Sequence, residues 1–187
     1  MTPLRHQAKV LLAFVKGWSM VCLVGGLGSA KTVTQVLVSL YRAQTTPGGR
    51  QLLLFPTSGM IEDIAKPAFE EWLERLRVRY FWKRPQGRLN LYLLVAGRWA
   101  ELRFRSGEKP DRLDGGEYCH VSADESGQLT DKAVKKLFAR GRGYARITKL
   151  MTGTPEGMAG PFYREAEKGV QPGTLVVRAR TMDNPFL

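Results

Sequence analysis

The chain has 187 residues, 43% hydrophobic and 25% charged, enough for a full core in ordinary soluble proportions. Its 29 Lys and Arg against 17 Asp and Glu give a formal net charge of +12, which favours a polyanionic partner, nucleic acid ahead of an anionic membrane. No stretch reaches the roughly 20 apolar residues of a membrane span, the first dozen residues lack the layout of a secretion signal, and Cys22 and Cys119, inside apolar runs, read as buried thiols of a reducing compartment rather than a zinc site.

Arg5-His6-Gln7 precede the first strand, and the Gln7 amide can both donate to and accept from an adenine edge. The run Ser19–Val24 reads as a strand. It breaks into Gly25, Gly26, Leu27, Gly28, Ser29 and Ala30, and a helix over Lys31–Ala43 follows. Strand, glycine-rich turn and a helix opening on Lys31-Thr32 are the context of a phosphate-binding loop. Glycines let successive backbone N–H groups converge on phosphate oxygens, and the helix N-terminus adds partial positive charge. Lys31 would then reach the β- and γ-phosphates of a nucleotide, and the Thr32 hydroxyl would ligate magnesium. The usual spacing is G-x-x-x-x-G-K-[ST]. Gly25 begins it, but Ala30 stands where the second glycine belongs, and its methyl is expected to crowd the backbone or shift its dihedral angles.

Gln51–Phe55 reads as a second buried strand, and Gly59–Arg79 as a long helix. The cluster Arg75, Arg77, Arg79, Lys83 and Arg84 at its end is a candidate DNA contact. A turn at Pro85–Gly87 and strands at Asn90–Val95 and Ala100–Arg105 are expected to form an antiparallel insertion. The strand Tyr118–Ala123 then delivers Asp124-Glu125. Asp124 is placed to hold magnesium through water and Glu125 to act as general base on the attacking water, which favours hydrolysis over transfer to a second substrate. A helix over Thr130–Arg140 and a strand over Ile147–Thr152 lead to Gly153-Thr154-Pro155, where Thr152 or Thr154 would touch the γ-phosphate or its water. A short helix, Gly160–Lys168, and a strand, Thr174–Ala179, complete an alternation that predicts a mostly parallel α/β sheet covered on both faces. The acids after the Asp-Glu pair (Asp131, Glu156, Glu165, Glu167 and Asp183) read as surface groups, so no two-metal nuclease centre is expected.

In order, RHQ, GGLGSAKT, PDRLDGGEYCHVSADES, LMTGTP and the closing TMDNPFL resemble the ATPase domain of the large terminase subunit, the DNA-packaging motor of tailed bacteriophages, over nearly the whole chain. The resemblance implies a P-loop NTPase fold of the additional-strand (ASCE) type, with ATP and Mg2+ as cofactors. It implies hydrolysis in a homo-oligomeric ring that drives double-stranded DNA into a capsid, alongside a portal and a small terminase subunit. The setting would be the host cytoplasm at the prohead, with no membrane. Thr152–Pro155 would be the segment that couples hydrolysis to movement. Many members carry an arginine where this loop has Leu27, a glycine at Ala30, and Leu-Arg-Gly where this chain has Leu113-Asp114-Gly115. Arg112 is therefore the candidate finger for a neighbour's ATP, with Arg140, Arg142 and Arg146 as competitors. The family's nuclease domain would begin after DNPFL, so residues 1–187 are expected to be one ATPase domain without it. Two other readings stand beside this one. One is a helicase-like or partner-remodelling P-loop ATPase; the other is a nucleotide-dependent interaction module with little turnover, which Ala30 and Leu27 keep open and Glu125 opposes.

Overall fold

A computed structural model of the chain describes residues 3–113, 115–155, 160–168 and 172–185. It opens with a helix not foreseen from the sequence. Helix α1 (Arg5–Val15) buries His6, Gln7, Val10, Ala13 and Phe14, which share one helical face. Strand β1 (Met20–Gly25) is buried at every position, because it lies inside a parallel sheet with helices above and below. Helix α2 (Lys31–Thr45) and strand β2 (Arg50–Phe55) follow, as the apolar runs require.

The helix expected over 59–79 is shorter and broken. It consists of α3 (Ser58–Met60), a π-helical turn at Ile61–Ala65 and α4 (Lys66–Arg75), with the Thr57 hydroxyl accepting from the Met60 N–H at its start. Arg77 takes a left-handed φ of 53° and turns the chain into β3 (Arg79–Lys83), a strand that begins at the last residue of the expected helix and was not itself expected. The alternation explains the difference: Tyr80 and Trp82 pack inward while Arg79, Phe81 and Lys83 face out, and aromatic residues suit a half-buried pleat. Strands β4 (Asn90–Val95), β5 (Arg98–Ser106) and β6 (His120–Ala123) come next, then α5 (Asp131–Arg140) and β7 (Thr148–Gly153). Tyr118, expected at the start of β6, forms only an isolated bridge to Gly141. The helix expected over 160–168 is one turn, α6 (Gly160–Tyr163), running into a π-helical turn at Arg164–Lys168. Strand β8 (Thr174–Ala179) completes the sheet.

The strands make one eight-stranded sheet in the order β3-β4-β5-β2-β6-β7-β1-β8. From β5 to β8 all neighbours are parallel, while β4 pairs antiparallel with both β3 and β5, which is the expected insertion enlarged by one strand. β7 lies between β1 and β6, the additional-strand arrangement. Residues alternate between two covered faces. Leu52, Leu54, Val121 and Met151 meet α5, whereas Leu53 and Phe55 meet Phe69 and Leu73 of α4. Val21 and Leu23 pack under α1 and α2 with Val10, Phe14 and Val38. Each of these fully buried aliphatic side chains stabilises the sheet by about 1.5–3 kcal/mol. Both cysteines are free and buried. Among the described residues no helix is long and apolar enough to cross a membrane. The parallel strands end along one edge, and the loops that leave β1, β6 and β7 meet there.

Candidate active site

Register brings the predicted segments level. Leu23 pairs with Thr152 and Val24 with Gly153, while Ala123 pairs with Met151, so Gly25, Asp124 and Thr152–Thr154 emerge together. Lys31 is the first residue of α2 and is only 6% exposed. A buried ammonium must be paired and hydrogen-bonded. Its Nζ donates to the carbonyls of Gly25 (3.1 Å) and Gly26 (3.2 Å) and to Thr154 Oγ1 (3.0 Å), and it lies 3.2 Å from Glu125 Oε1.

The loop is held from both sides. The Ser29 hydroxyl donates to the Gly26 carbonyl at 2.7 Å, and a Cβ on Gly25 would stand 2.4 Å from that hydroxyl oxygen. From the C-terminal segment, Thr181 Oγ1 donates to the Leu27 carbonyl at 2.8 Å and Asn184 Nδ2 to the Gly28 carbonyl at 2.7 Å. A Cβ on Gly26 would lie 2.5 Å from Thr181 Oγ1, so glycine is what lets this clamp close. Gly28 has a φ of 72°, open to glycine at no steric cost. Ala30 adopts φ 59° and ψ 38°, the left-handed conformation a glycine would take freely. The methyl therefore does not displace the loop; it adds a local cost of about 1–2 kcal/mol. The Ala30 carbonyl accepts from the Thr34 N–H and hydroxyl and from Gln7 Nε2 (3.4 Å), and Gln7 Oε1 accepts from the Leu4 N–H. Gln7 is 2% exposed, so its amide ties α1 to the back of the loop.

Asp124 is 2% exposed and accepts three hydrogen bonds: from Thr32 Oγ1 at 3.2 Å, from Thr152 Oγ1 at short range, and from the Glu125 N–H at 3.1 Å. Burial holds its carboxyl above the usual carboxylate range, with the Thr152 hydroxyl opposing and the neighbouring Glu125 charge adding to the rise. A carboxylate so placed gains from a cation. Asp124 Oδ2 and Thr32 Oγ1 are hard oxygen donors 3.2 Å apart, which suits magnesium, an ion that takes one or two protein ligands and fills the rest from phosphate and water. Among the described residues no group of three or more His, Cys, Asp or Glu could hold a metal by itself.

Glu125 has φ 40° and ψ 53°, a strained backbone for a non-glycine residue, and strain of this kind collects at functional positions. Its Oε2 accepts from the Thr154 N–H (3.2 Å) and hydroxyl (3.4 Å). Thr154 Oγ1 thus touches both the Lys31 ammonium and the Glu125 carboxylate. Gly153 is packed against Phe162, whose ring atoms would lie 3.0 Å from an added Cβ. The structure therefore brings together residues 25–32, Asp124, Glu125, Thr152 and Thr154, with Gln7 behind them. Arg112 ends a 3-10 turn at Pro110–Arg112, and its side chain, like Asp114, lies outside the described residues. Thr181 and Asn184 were missed as site residues. Their only signal in the sequence was membership of the closing TMDNPFL, to which no role attached.

Solved structures with this fold include several terminases. The large terminase of a thermophilic bacteriophage, in complex with ADP, matches with a TM-score of 0.85 and 17% identity, over 98% of this chain and 47% of that one. The same terminase in complex with ATP-gamma-S matches with a TM-score of 0.80 at 17% identity, over 98% and 46%. The Thermus phage P74-26 large terminase ATPase domain matches with a TM-score of 0.66 and 18% identity, over 95% and 81%. The chain spans about half the length of the first of these proteins. No protein-family model matches the chain, and no curated protein does. The chain has the P-loop NTPase fold of bacteriophage large-terminase ATPase domains.

Proposed function

We propose that this chain is the ATP-hydrolysing motor domain of a viral DNA-packaging terminase, translocating double-stranded DNA into a capsid. One observation carries the reading. Lys31, Glu125 and Thr154 form one network and Thr32, Asp124 and Thr152 an adjoining one, at the strand ends of a fold whose solved relatives include complexes with ADP and ATP-gamma-S. In this reading the backbone N–H groups of residues 26–31 and the Lys31 ammonium receive the β- and γ-phosphates. The ammonium exchanges the Glu125 carboxylate for phosphate oxygens, which frees Glu125 to take a proton from the attacking water. Thr32 and Asp124 hold Mg2+, which when bound neutralises phosphate charge. Thr152 fixes the Asp124 carboxylate, and Thr154, bonded to both Lys31 and Glu125, senses which of the two states the site is in. Gln7 holds the loop against α1 and remains the candidate for the adenine edge. Arg112 would serve a neighbouring subunit's ATP in a homo-oligomeric ring.

The partners that follow are double-stranded DNA, attracted by the +12 charge, with a portal and a small terminase subunit, in the host cytoplasm at the prohead. Nucleotide titration and an ATPase assay with and without duplex DNA test the proposal. Lys31→Ala removes a charge-assisted contact worth about 1.5–3 kcal/mol, so affinity should fall tenfold or more and turnover should stop. Unchanged affinity would remove the loop as the phosphate site, and turnover indifferent to duplex would remove the translocase.

A further inference from the structure

The antiparallel end of the sheet has one face that α5 and α6 do not reach. Tyr80, Trp82, Leu91, Leu93, Ala100 and Leu102 point to the other side, where they pack with Phe69 and Leu73 of α4. The helices α5 and α6 cover the opposite side only as far as β2, through Leu52 and Leu54. Beyond β2 this side presents Arg79, Phe81 and Lys83 of β3, Tyr92 of β4 and Trp99 of β5, set by the registers Phe81 opposite Tyr92 and Leu94 opposite Trp99.

The aromatic side chains form one cluster. Phe81 stacks on Tyr92 with ring centroids 4.9 Å apart, and Trp99 meets Phe81 edge-on at 4.8 Å. Phe81 is 36% and Trp99 43% exposed, an unusual outlay of aromatic surface on one face of a sheet. The Lys83 ammonium sits 5.3 Å from the Phe81 centroid and 5.6 Å from that of Tyr92. Charge on this face is one-sided. The single carboxylate of the three strands, Glu101, accepts from Asn90 (2.9 Å), Tyr92 (3.0 Å) and Arg103 (3.1 Å) and is neutralised within the sheet. Of the basic cluster expected to touch DNA, Arg75 pairs with Glu71 and Arg84 with Glu62, whereas no carboxylate pairs with Arg79 or Lys83 among the described residues.

We propose that this face binds an unpaired nucleic-acid strand, with bases stacking against Phe81, Tyr92 and Trp99 and phosphates on Arg79 and Lys83. Cations alone would suit any polyanion, but exposed rings beside them select one with free π faces. A duplex keeps its bases stacked inside and would use only the cations. For a chain read as moving duplex DNA, the ligand is an unpaired end or a displaced strand of that DNA; the inference rests on that reading for its nucleic-acid partner.

The test is a titration of the whole chain with fluorescent oligothymidine and with a duplex of equal length, without nucleotide. Phe81→Ala and Trp99→Ala should each weaken oligothymidine binding by about 5- to 150-fold and leave the duplex nearly unchanged. Trp99→Tyr should restore most of the loss, and Arg79→Ala with Lys83→Ala should flatten the log–log salt slope for the single strand by about 1.4. DNA-independent ATP turnover of each variant, which uses the strand ends of β1, β6 and β7, should stay at the wild-type value and shows that the protein is folded. Aromatic variants that turn over ATP and bind oligothymidine like wild type would overturn the proposal. Binding of duplex alone would overturn it while leaving the motor reading standing, and binding of no DNA at all would overturn both. Self-association lost in Trp99→Ala with oligonucleotide affinity intact would also overturn it, giving the face to a second copy of the chain.

Discussion

Replacing Ala30 by glycine should stabilise this protein, against the general rule for helix-flanking alanines. Ala30 holds φ 59° and ψ 38°, where the methyl group meets the following carbonyl at a cost of about 1–2 kcal/mol. Glycine removes that cost, while its greater freedom in the unfolded chain returns about 0.4–1 kcal/mol to the other side. The expected net gain is about 0.5–1 kcal/mol, or about 1–4 °C in Tm for a chain of this size. The hydrogen bonds at the position are made by its carbonyl to Thr34 and Gln7, which glycine keeps. Urea and thermal unfolding of Ala30→Gly beside Ala8→Gly make the measurement. Ala8 lies within α1 and should lose about 1 kcal/mol by the same substitution. If Ala30→Gly lost stability as Ala8→Gly does, the left-handed assignment and the account of the loop built on it would be wrong.

Thr181→Val and Asn184→Ala each remove one bond to a loop carbonyl, so each should weaken nucleotide binding by about fivefold, with KM rising and kcat nearly unchanged; Thr181→Ser should restore affinity. Equal affinity in all variants would show that the loop holds its shape without the clamp. His120 is fully buried beside Arg42, and burial lowers its imidazole to about 3. The unfolded chain binds the proton more readily, so its contribution to stability is complete above about pH 6.5 and is lost at up to about 1.4 kcal/mol per pH unit as pH falls towards 3. Comparing urea midpoints of wild type and His120→Gln at pH 7.5, 6 and 5 should show the gap between them narrowing with acid; a constant gap would contradict the burial argument.

Most of the sheet was legible because buried parallel strands are apolar runs bounded by small residues, as in Met20–Gly25 and Arg50–Phe55. The meeting of Lys31 with Glu125 and of Thr32 with Asp124 was legible for a similar reason: Lys31-Thr32 and Asp124-Glu125 are each local in sequence, and their strand context shows in the adjoining runs. β3 was hidden because Arg75, Arg77 and Arg79 carry the basic end of the helix up to the strand's first residue, and the break at the left-handed Arg77 is a backbone feature; the alternation of Tyr80 and Trp82 was the signal that went unread. The clamp was out of reach for another reason. Thr181 meets Leu27 and Asn184 meets Gly28 across about 155 residues, and nothing local in a Thr or an Asn announces a distant carbonyl. The contact of Gln7 with the Ala30 carbonyl was out of reach likewise, because it exists only once α1 folds against the loop.

The central claim is that Glu125 is the base of an ATP-hydrolysing site. Its most direct test is the fate of ATP bound to Glu125→Gln. The amide keeps the shape of the side chain but cannot take the water's proton, and a positioned general base contributes ~10²–10⁴-fold to rate. Mixing the variant with labelled ATP and Mg2+, isolating the protein and separating ATP from ADP should recover bound, uncleaved ATP, with affinity no weaker than wild type because Lys31 no longer faces a competing carboxylate. Bound ADP formed at the wild-type rate would contradict the account.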